Sequence, residues 1–393
     1  MNAIYFDNNA TTNIAPEVID EMLPYLKELY GNPSSMHTFG GQLHRKIEEA
    51  RAKVARLIGA EVEEIIFTSC GTESDNTAIM NAVEAVPHKK HIITSRVEHP
   101  AVLNFYKHLA RRGYRATFIP VDKSGRLKMD EFLNALDDDT AIVSLMYANN
   151  ESGVIFPIME IGEILRERKI LFHTDAVQAV GKVPIDLKNM SIDMLSLSGH
   201  KLHAPKGVGA LYVRKGTRFH PYIIGGHQEH GRRAGTENVA SIIGLGRACE
   251  LAGENLYKEM TYLKNLRDKL ETALLKLCPD ARINGDVENR LPNTTNLSFE
   301  YVEGEAILLR LNEFGICASS GSACTSGSLE PSHVLRAMGV PATSIHGSIR
   351  FSLSRYNTEA EVDKVIEIMP PIIKELRQLS PYGREKLGKD VCT

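Results

Sequence analysis

Cys324 sits in the stretch "ASSGSACTSGSLEP", residues 318–331, among serines, glycines and alanines that offer it almost nothing to pack against. The chain has no C-x-x-C pair, so its six cysteines (Cys70, Cys249, Cys278, Cys317, Cys324 and Cys392) suggest neither a zinc ribbon nor a disulfide framework. In such a chain a cysteine is ordinarily a small buried hydrophobe. Cys324 has no local core to be buried in, and a thiol so placed serves better as a nucleophile, which acts as thiolate and must be reachable. Serine and glycine make a tether without a preferred conformation, and five residues at ~3.4 Å each would swing the thiol by on the order of 15 Å. The stretch therefore predicts a mobile arm carrying a reactive sulfur.

A second set of candidates follows predicted strands. In α/β sheets ligands bind outside the carboxyl ends of the strands, so the polar residues next after each apolar run are where chemistry belongs. After "EIIFTS" come Cys70, Gly71 and Thr72, opening a helical pattern whose unpaired N–H groups and positive dipole end suit a phosphate. After "HIITSRV" come Glu98 and His99, and after "AIVSLMYA" come Asn149, Asn150 and Glu151. Asp175 and Gln178 follow "ILFHT", and Gly199, His200 and Lys201 follow "MLSLS".

Singly, each is an ordinary turn residue. Together, a lysine, a carboxylate and a phosphate cradle on one sheet edge are the parts that hold pyridoxal phosphate. The lysine would form the Schiff base. Asp175 would keep the pyridine nitrogen protonated so that the ring acts as an electron sink, and His99 would stack on the ring or move protons. Lys201 and Lys206 both satisfy the spacing for the lysine, and spacing does not separate them.

The loop "GGHQEHGRRAGTEN", 225–238, holds His227 and His230 three apart and flanked by glycine, whereas the helical zinc motif needs histidines four apart with a glutamate between. No metal site is expected, and with Arg232, Arg233 and Thr236 the loop reads as anion-binding. Arg350, inside the strand pattern "GSIRFSLSR", suits either a structural salt bridge or a bidentate clamp on a substrate carboxylate.

These residues need a scaffold. From about residue 64 to 213 short β-branched runs alternate with helical patterns, which predicts crossover units and a largely parallel sheet covered on both faces. Before it, "PEVIDEMLPYLKELYGNP" has proline near its start and glycine past its end, and "GQLHRKIEEARAKVARLIGA" keeps a helical period. Between Val239 and Leu277 glycine and charge interrupt long helical patterns, and strands then become fewer. The fold class is α/β: a large domain over 15–259, and a smaller α+β domain made of 1–14 and 260–393 that carries the cysteine loop.

Composition narrows the function classes. Over 393 residues, 43% apolar and 24% charged is the make-up of a globular protein, and the net charge of -3 leaves no basic footprint for nucleic acid. The opening "MNAIYFDNNATT" has neither a basic nor an apolar leader region, and no run approaches the ~18 apolar residues of a spanning helix. A cytoplasmic protein without membrane or nucleic-acid partners is expected.

The blocks "YFDNNATT", "YGNPSS", "TSCGTESDN", "EHPAV", "ANNESGV", "HTDAVQAVGK", "SLSGHKLHAPKGVGAL", "GRRAGTEN" and "SSGSACTSGSLEPSHVLRAMG" resemble, in order and over nearly the whole chain, the pyridoxal-phosphate-dependent cysteine desulfurases of the class V aminotransferase group. The loop "SSGSACTSGS" is similar to that of the nitrogen-fixation and iron–sulfur-assembly branch. The branch with a shorter, histidine-flanked loop matches poorly. The resemblance implies a type I fold with a mostly parallel seven-stranded sheet, and makes Lys201, in "SGHK", the Schiff-base residue.

It further implies that Gly71, Thr72, Ser198 and His200 bind the phosphate, joined by Thr236 from the other subunit of a homodimer. Asp175 would pair with the pyridinium nitrogen, Gln178 with the ring hydroxyl, and His99 would stack on the ring. Asn150 would touch cofactor or substrate, and Arg350 would hold the substrate carboxylate. L-cysteine would become L-alanine as Cys324 takes the sulfur as a persulfide for an iron–sulfur cluster scaffold protein, where Cys324 could meet a nascent cluster. Two readings compete. Another class V enzyme, an aminotransferase or a selenocysteine lyase, would differ at the cysteine loop. A cofactor-free sulfur carrier would have no need of Asp175 and Lys201.

Overall fold

The structure, a computed structural model, describes residues 3–320 and 331–380. Cys324 and most of the arm around it lie outside the described residues.

The chain opens with β1 (Ile4–Tyr5), α1 (Pro16–Lys27) and α2 (Thr38–Ile58). Alternation then sets in: β2 (Ile65–Thr68), α3 (Gly71–Ala85), β3 (His91–Ser95), α4 (Pro100–Arg111), β4 (Arg115–Ile119), α5 (Met129–Ala135), β5 (Thr140–Ser144), α6 (Ile158–Glu167), β6 (Leu171–Asp175), β7 (Met194–Ser198) and β8 (Gly209–Val213). These strands are the apolar runs expected from the sequence. They form one seven-stranded sheet in the order β2-β8-β7-β6-β5-β3-β4, parallel throughout except for β8, which runs against both neighbours.

Side chains alternate across the sheet with period two. Ile65, Phe67, Ile93, Val143 and Leu195 face one apolar core with α1, α2 and α6, whereas Ile66, Ile92, Ile142 and Met194 face another with α3 and α4. A sheet with an apolar core on each face is what continuous β-branched runs produce, because neither face meets water.

The rest comprises α7 (Val239–Leu277), β9 (Ala281–Ile283), β10 (Thr294–Phe299), α8 (Gly304–Glu313), β11 (Ile316–Cys317), α9 (His333–Ala337), α10 (Ala342–Ile345), β12 (Ser348–Ser352) and α11 (Glu359–Leu379). Strands β12-β10-β9 make a small antiparallel sheet, and β1 pairs with β11. A third core gathers Phe6, Leu266, Leu270, Phe299, Phe351 and Ile372.

Where an interrupted pattern was expected, α7 is a single helix of 39 residues. Its glycines mark close helix contacts rather than breaks. A Cβ on Gly246 would stand 2.7 Å from Ala50 Cα, so only glycine lets α7 lie on α2 there. The helix contributes Leu245 and Ala252 to the first core and Leu266 and Leu270 to the third. Val334, Leu335 and Met338, late in the sequence, pack into the first core.

One N-terminal segment ties the parts together. Asn8 and Asn9 are held by Ser352 of β12 and Thr294 of β10, after which Thr12 N–H donates to the His200 carbonyl. This threads the chain across the carboxyl ends of β6 and β7.

Candidate active site

A cavity of about 370 Å³ opens at those carboxyl ends. Asp175 ends β6, Ser198 ends β7, and His200 and Lys201 occupy the tight turn that follows. Gly71 begins α3 and His99 caps α4. All of them line the cavity, with Thr72, Asn150, Gln178 and Arg350. Lys206 does not line it and is exposed, so it is Lys201 that stands at the cavity.

Lys201 Nζ donates to two peptide oxygens, Asn9 O and Ala10 O, each at 2.6 Å. Asp175 Oδ1 accepts from Val177 N–H at 3.0 Å. Burial raises the Asp175 pKa, against the opposing pull of His99 and Lys201. A carboxylate stripped of water in this way favours a proton or a cation beside it, and a protonated pyridine nitrogen provides both.

His99 Nδ1 accepts the Ala101 N–H at 3.2 Å, which leaves the proton of the neutral ring on Nε2. Burial holds its pKa below the usual histidine range; Asp175 opposes this and Lys201 adds to it. Burial, with the charge of Lys201, pushes His200 down to about 4, and its Nδ1 pairs with Thr11 Oγ1 at 3.2 Å.

The phosphate end passes three tests. Ser198 Oγ is buried without a hydrogen-bond partner among the described residues, a state that costs about 1–3 kcal/mol unless a ligand relieves it. The cap residue Cys70 is extended and its side chain leaves the first turn of α3 uncapped. A Cβ on Gly71 would stand 2.8 Å from Val177 Cγ2, so the helix start can hug the sheet only as glycine. A buried carboxylate, an amine, an orphaned hydroxyl and an open helix N-terminus around one cavity fit pyridoxal phosphate.

Arg350, 3% exposed on β12, reaches the same cavity. Its Nη2 donates to Asp7 Oδ1 at 2.6 Å and its Nη1 to Asn150 O at 2.9 Å, while Nε is buried without a partner among the described residues. Salt bridge and open donor therefore coexist on one guanidinium. Gln178 Nε2 donates to Asn9 O at 3.0 Å.

Thr236 is exposed and outside the cavity. Its loop does not gather free cations. Arg233 pairs with Glu73 at 2.9 Å, and Arg232 donates to the Ile65 carbonyl. The two non-glycine residues with left-handed backbone in this loop are Glu229 and His230, and the Glu229 carboxylate accepts from Arg51 and from Phe67 N–H in the core. His227 and His230 are exposed, and no metal-binding group is present among the described residues.

Reasoning from strand ends missed Asn9, Ala10 and Asp75, which also line the cavity. The run "DNNATT" was the available signal, since a stretch with polar residues at five of six positions has little reason to be buried, yet Asn8 and Asn9 are 2% exposed.

Comparison with known proteins identifies the family. Residues 4–365 match the family model described as aminotransferase class-V. A protein of Trichormus azollae named cysteine desulfurase is 61% identical over 388 residues, covering 99% of this chain and 97% of the relative. Cysteine desulfurase NifS of Azotobacter vinelandii is 60% identical over 383 residues, covering 97% and 95%. Among solved structures, a NifS-like protein aligns with a TM-score of 0.90 at 41% identity, over 95% of this chain and 100% of that one. Matched to that family model over residues 4–365 and to relatives named cysteine desulfurase over nearly its whole length, the chain belongs to the aminotransferase class-V family and, within it, to the cysteine desulfurases.

Proposed function

We propose that the chain holds pyridoxal phosphate in this cavity and converts L-cysteine to L-alanine, passing the sulfur to Cys324 as a persulfide. The observation that carries this is the meeting of Asp175, Lys201 and the unpartnered Ser198 hydroxyl around one cavity in a chain whose relatives are named cysteine desulfurases. The cofactor, when bound, supplies an aldehyde that condenses with amines and a ring that draws electrons from the substrate's α-carbon.

The chain's own residues do the rest. Gly71, Thr72, Ser198 and His200 hold the phosphate, with Thr236 of a second subunit in a homodimer. Asp175 keeps the ring nitrogen protonated, Gln178 donates to the ring hydroxyl, and His99 covers the ring face, while Asn150 borders the substrate. Arg350 binds the substrate carboxylate, and Lys201 Nζ takes the α-proton. Cys324, as thiolate, then attacks the substrate sulfur: a sulfur–sulfur bond forms, the carbon–sulfur bond breaks, and the carbon takes up protons to leave as L-alanine.

The site lies between a large domain, 15–259, and a small one, 1–14 with 260–393. The persulfide is delivered in the cytoplasm to an iron–sulfur cluster scaffold protein. Among the described residues no helix is long and apolar enough to cross a membrane.

Cys324→Ala tests the assignment. The cofactor-loaded variant should still change its visible absorption on adding L-cysteine, yet produce neither alanine nor a protein persulfide in mass spectra. Continued alanine release would overturn the role of Cys324, and keto-acid-dependent transamination without sulfur release by the parent protein would overturn the function.

A further inference from the structure

Behind the cavity, one amine has no role in the chemistry above. Lys182 Nζ donates to Gln178 Oε1 at 2.9 Å. The other end of that amide, Nε2, donates to Asn9 O, the same peptide oxygen that receives Lys201 Nζ. The contacts thus form one line from Lys182 through the Gln178 amide and the Asn9 carbonyl to Lys201.

We propose that Lys182 is a positioning residue of this site: it fixes the Gln178 amide with its donor end toward Asn9 and the cavity, and sets a second, titratable charge beside Lys201. The inference rests on the pyridoxal phosphate site described above.

Three observations support it. An amide oxygen and nitrogen differ only in what they can bond to, so a donor at Oε1 and an acceptor at Nε2 select one of two orientations. Lys182 locks the first end and Asn9 the second. Next, the charges that act most on the Lys182 amine are the cations Lys201 and Arg350, and Lys182 in turn acts on His200 and His203. The Lys182 side chain is part-exposed, yet its amine end is turned inward onto Gln178, and loss of water there, then Lys201 and Arg350, bring the amine down to about 7. An unpaired lysine among cations offsets its cost only if its charge or its hydrogen bond is used. Finally, a proton gained there as pH falls adds a positive charge facing Lys201, which opposes a positive charge on the Lys201 side.

The test is a pH titration of the visible absorption of the cofactor-loaded protein, comparing Lys182→Met, which has neither donor nor charge, Lys182→Gln, a donor without charge, and Lys182→Arg, which keeps both. The midpoint should rise by about one pH unit in the Met and Gln proteins and stay near the parent value in the Arg protein. Midpoints unmoved in both uncharged variants would overturn the proposal, as would an equal shift in all three, which would make the role one of packing. If one uncharged variant fails to fold, the other still carries the measurement. Failure of the cofactor site itself would look different: the parent protein would show no visible band that borohydride can fix to Lys201.

Discussion

Replacing Arg350 by lysine separates its contact with Asp7 from its proposed role as a clamp on the substrate carboxylate. A guanidinium has five N–H donors, of which Nη2 serves Asp7 and Nη1 serves Asn150 O, while the Nε donor has no partner among the described residues. Lysine keeps the charge and can keep the Asp7 contact, but it cannot present two parallel donors to a carboxylate. The loss is one charge-assisted hydrogen bond and the alignment of a second, about 2–3 kcal/mol, which is about 30- to 150-fold in kcat/KM. Because a carboxylate is held equally in ground and transition states, the change belongs in KM, with kcat little altered. The assay is alanine formation against L-cysteine concentration, paired with sulfur release from cysteamine, which has no carboxylate. Cysteamine turnover should be unaffected by the substitution. An equal loss with both compounds would refute the clamp and reduce Arg350 to a strut between β12, Asp7 and the Asn150 turn.

Two further outcomes concern stability. Glu229→Gln removes the charge that answers Arg51 in the core, where the side chains are 2% and 4% exposed, so the expected loss is about 3 kcal/mol in denaturant unfolding. Arg51 keeps Glu48 at 3.1 Å, and a loss below about 1 kcal/mol would mean that this second carboxylate suffices. Glu98→Gln should act through pH. Burial pushes the Glu98 carboxyl up to about 8 from an unfolded value of 4.5, so the folded state binds its proton more tightly and loses stability as pH rises from 4.5 through 8. The glutamine variant cannot ionise, and should nearly match the parent near pH 5 and exceed it near pH 9 by about 4 kcal/mol. Parallel stability curves for the two proteins would refute the shift.

The seven strands of the large sheet were legible because local pattern and tertiary burial say the same thing there. Ile65 and Ile66 face opposite cores, and both must be apolar. Helix α7 was less legible, because Gly246 lowers helix propensity locally while permitting the contact with Ala50 that stabilises the helix in the fold. The candidate site divides along a similar line. Asp175, Lys201 and His99 announce themselves by type and by their place after a strand. What holds Lys201, however, is the peptide oxygens of Asn9 and Ala10, about 190 positions away in the chain, and every residue type carries such an oxygen. Sequence encodes that contact only indirectly, through the Asn9 side chain that bonds Thr294 and Asn150 O and so pins the backbone in place. The residue type is selected for anchoring and the chemistry is done by the main chain. A polar residue buried at a chain start is therefore a pointer to the site even when its side chain never faces the substrate.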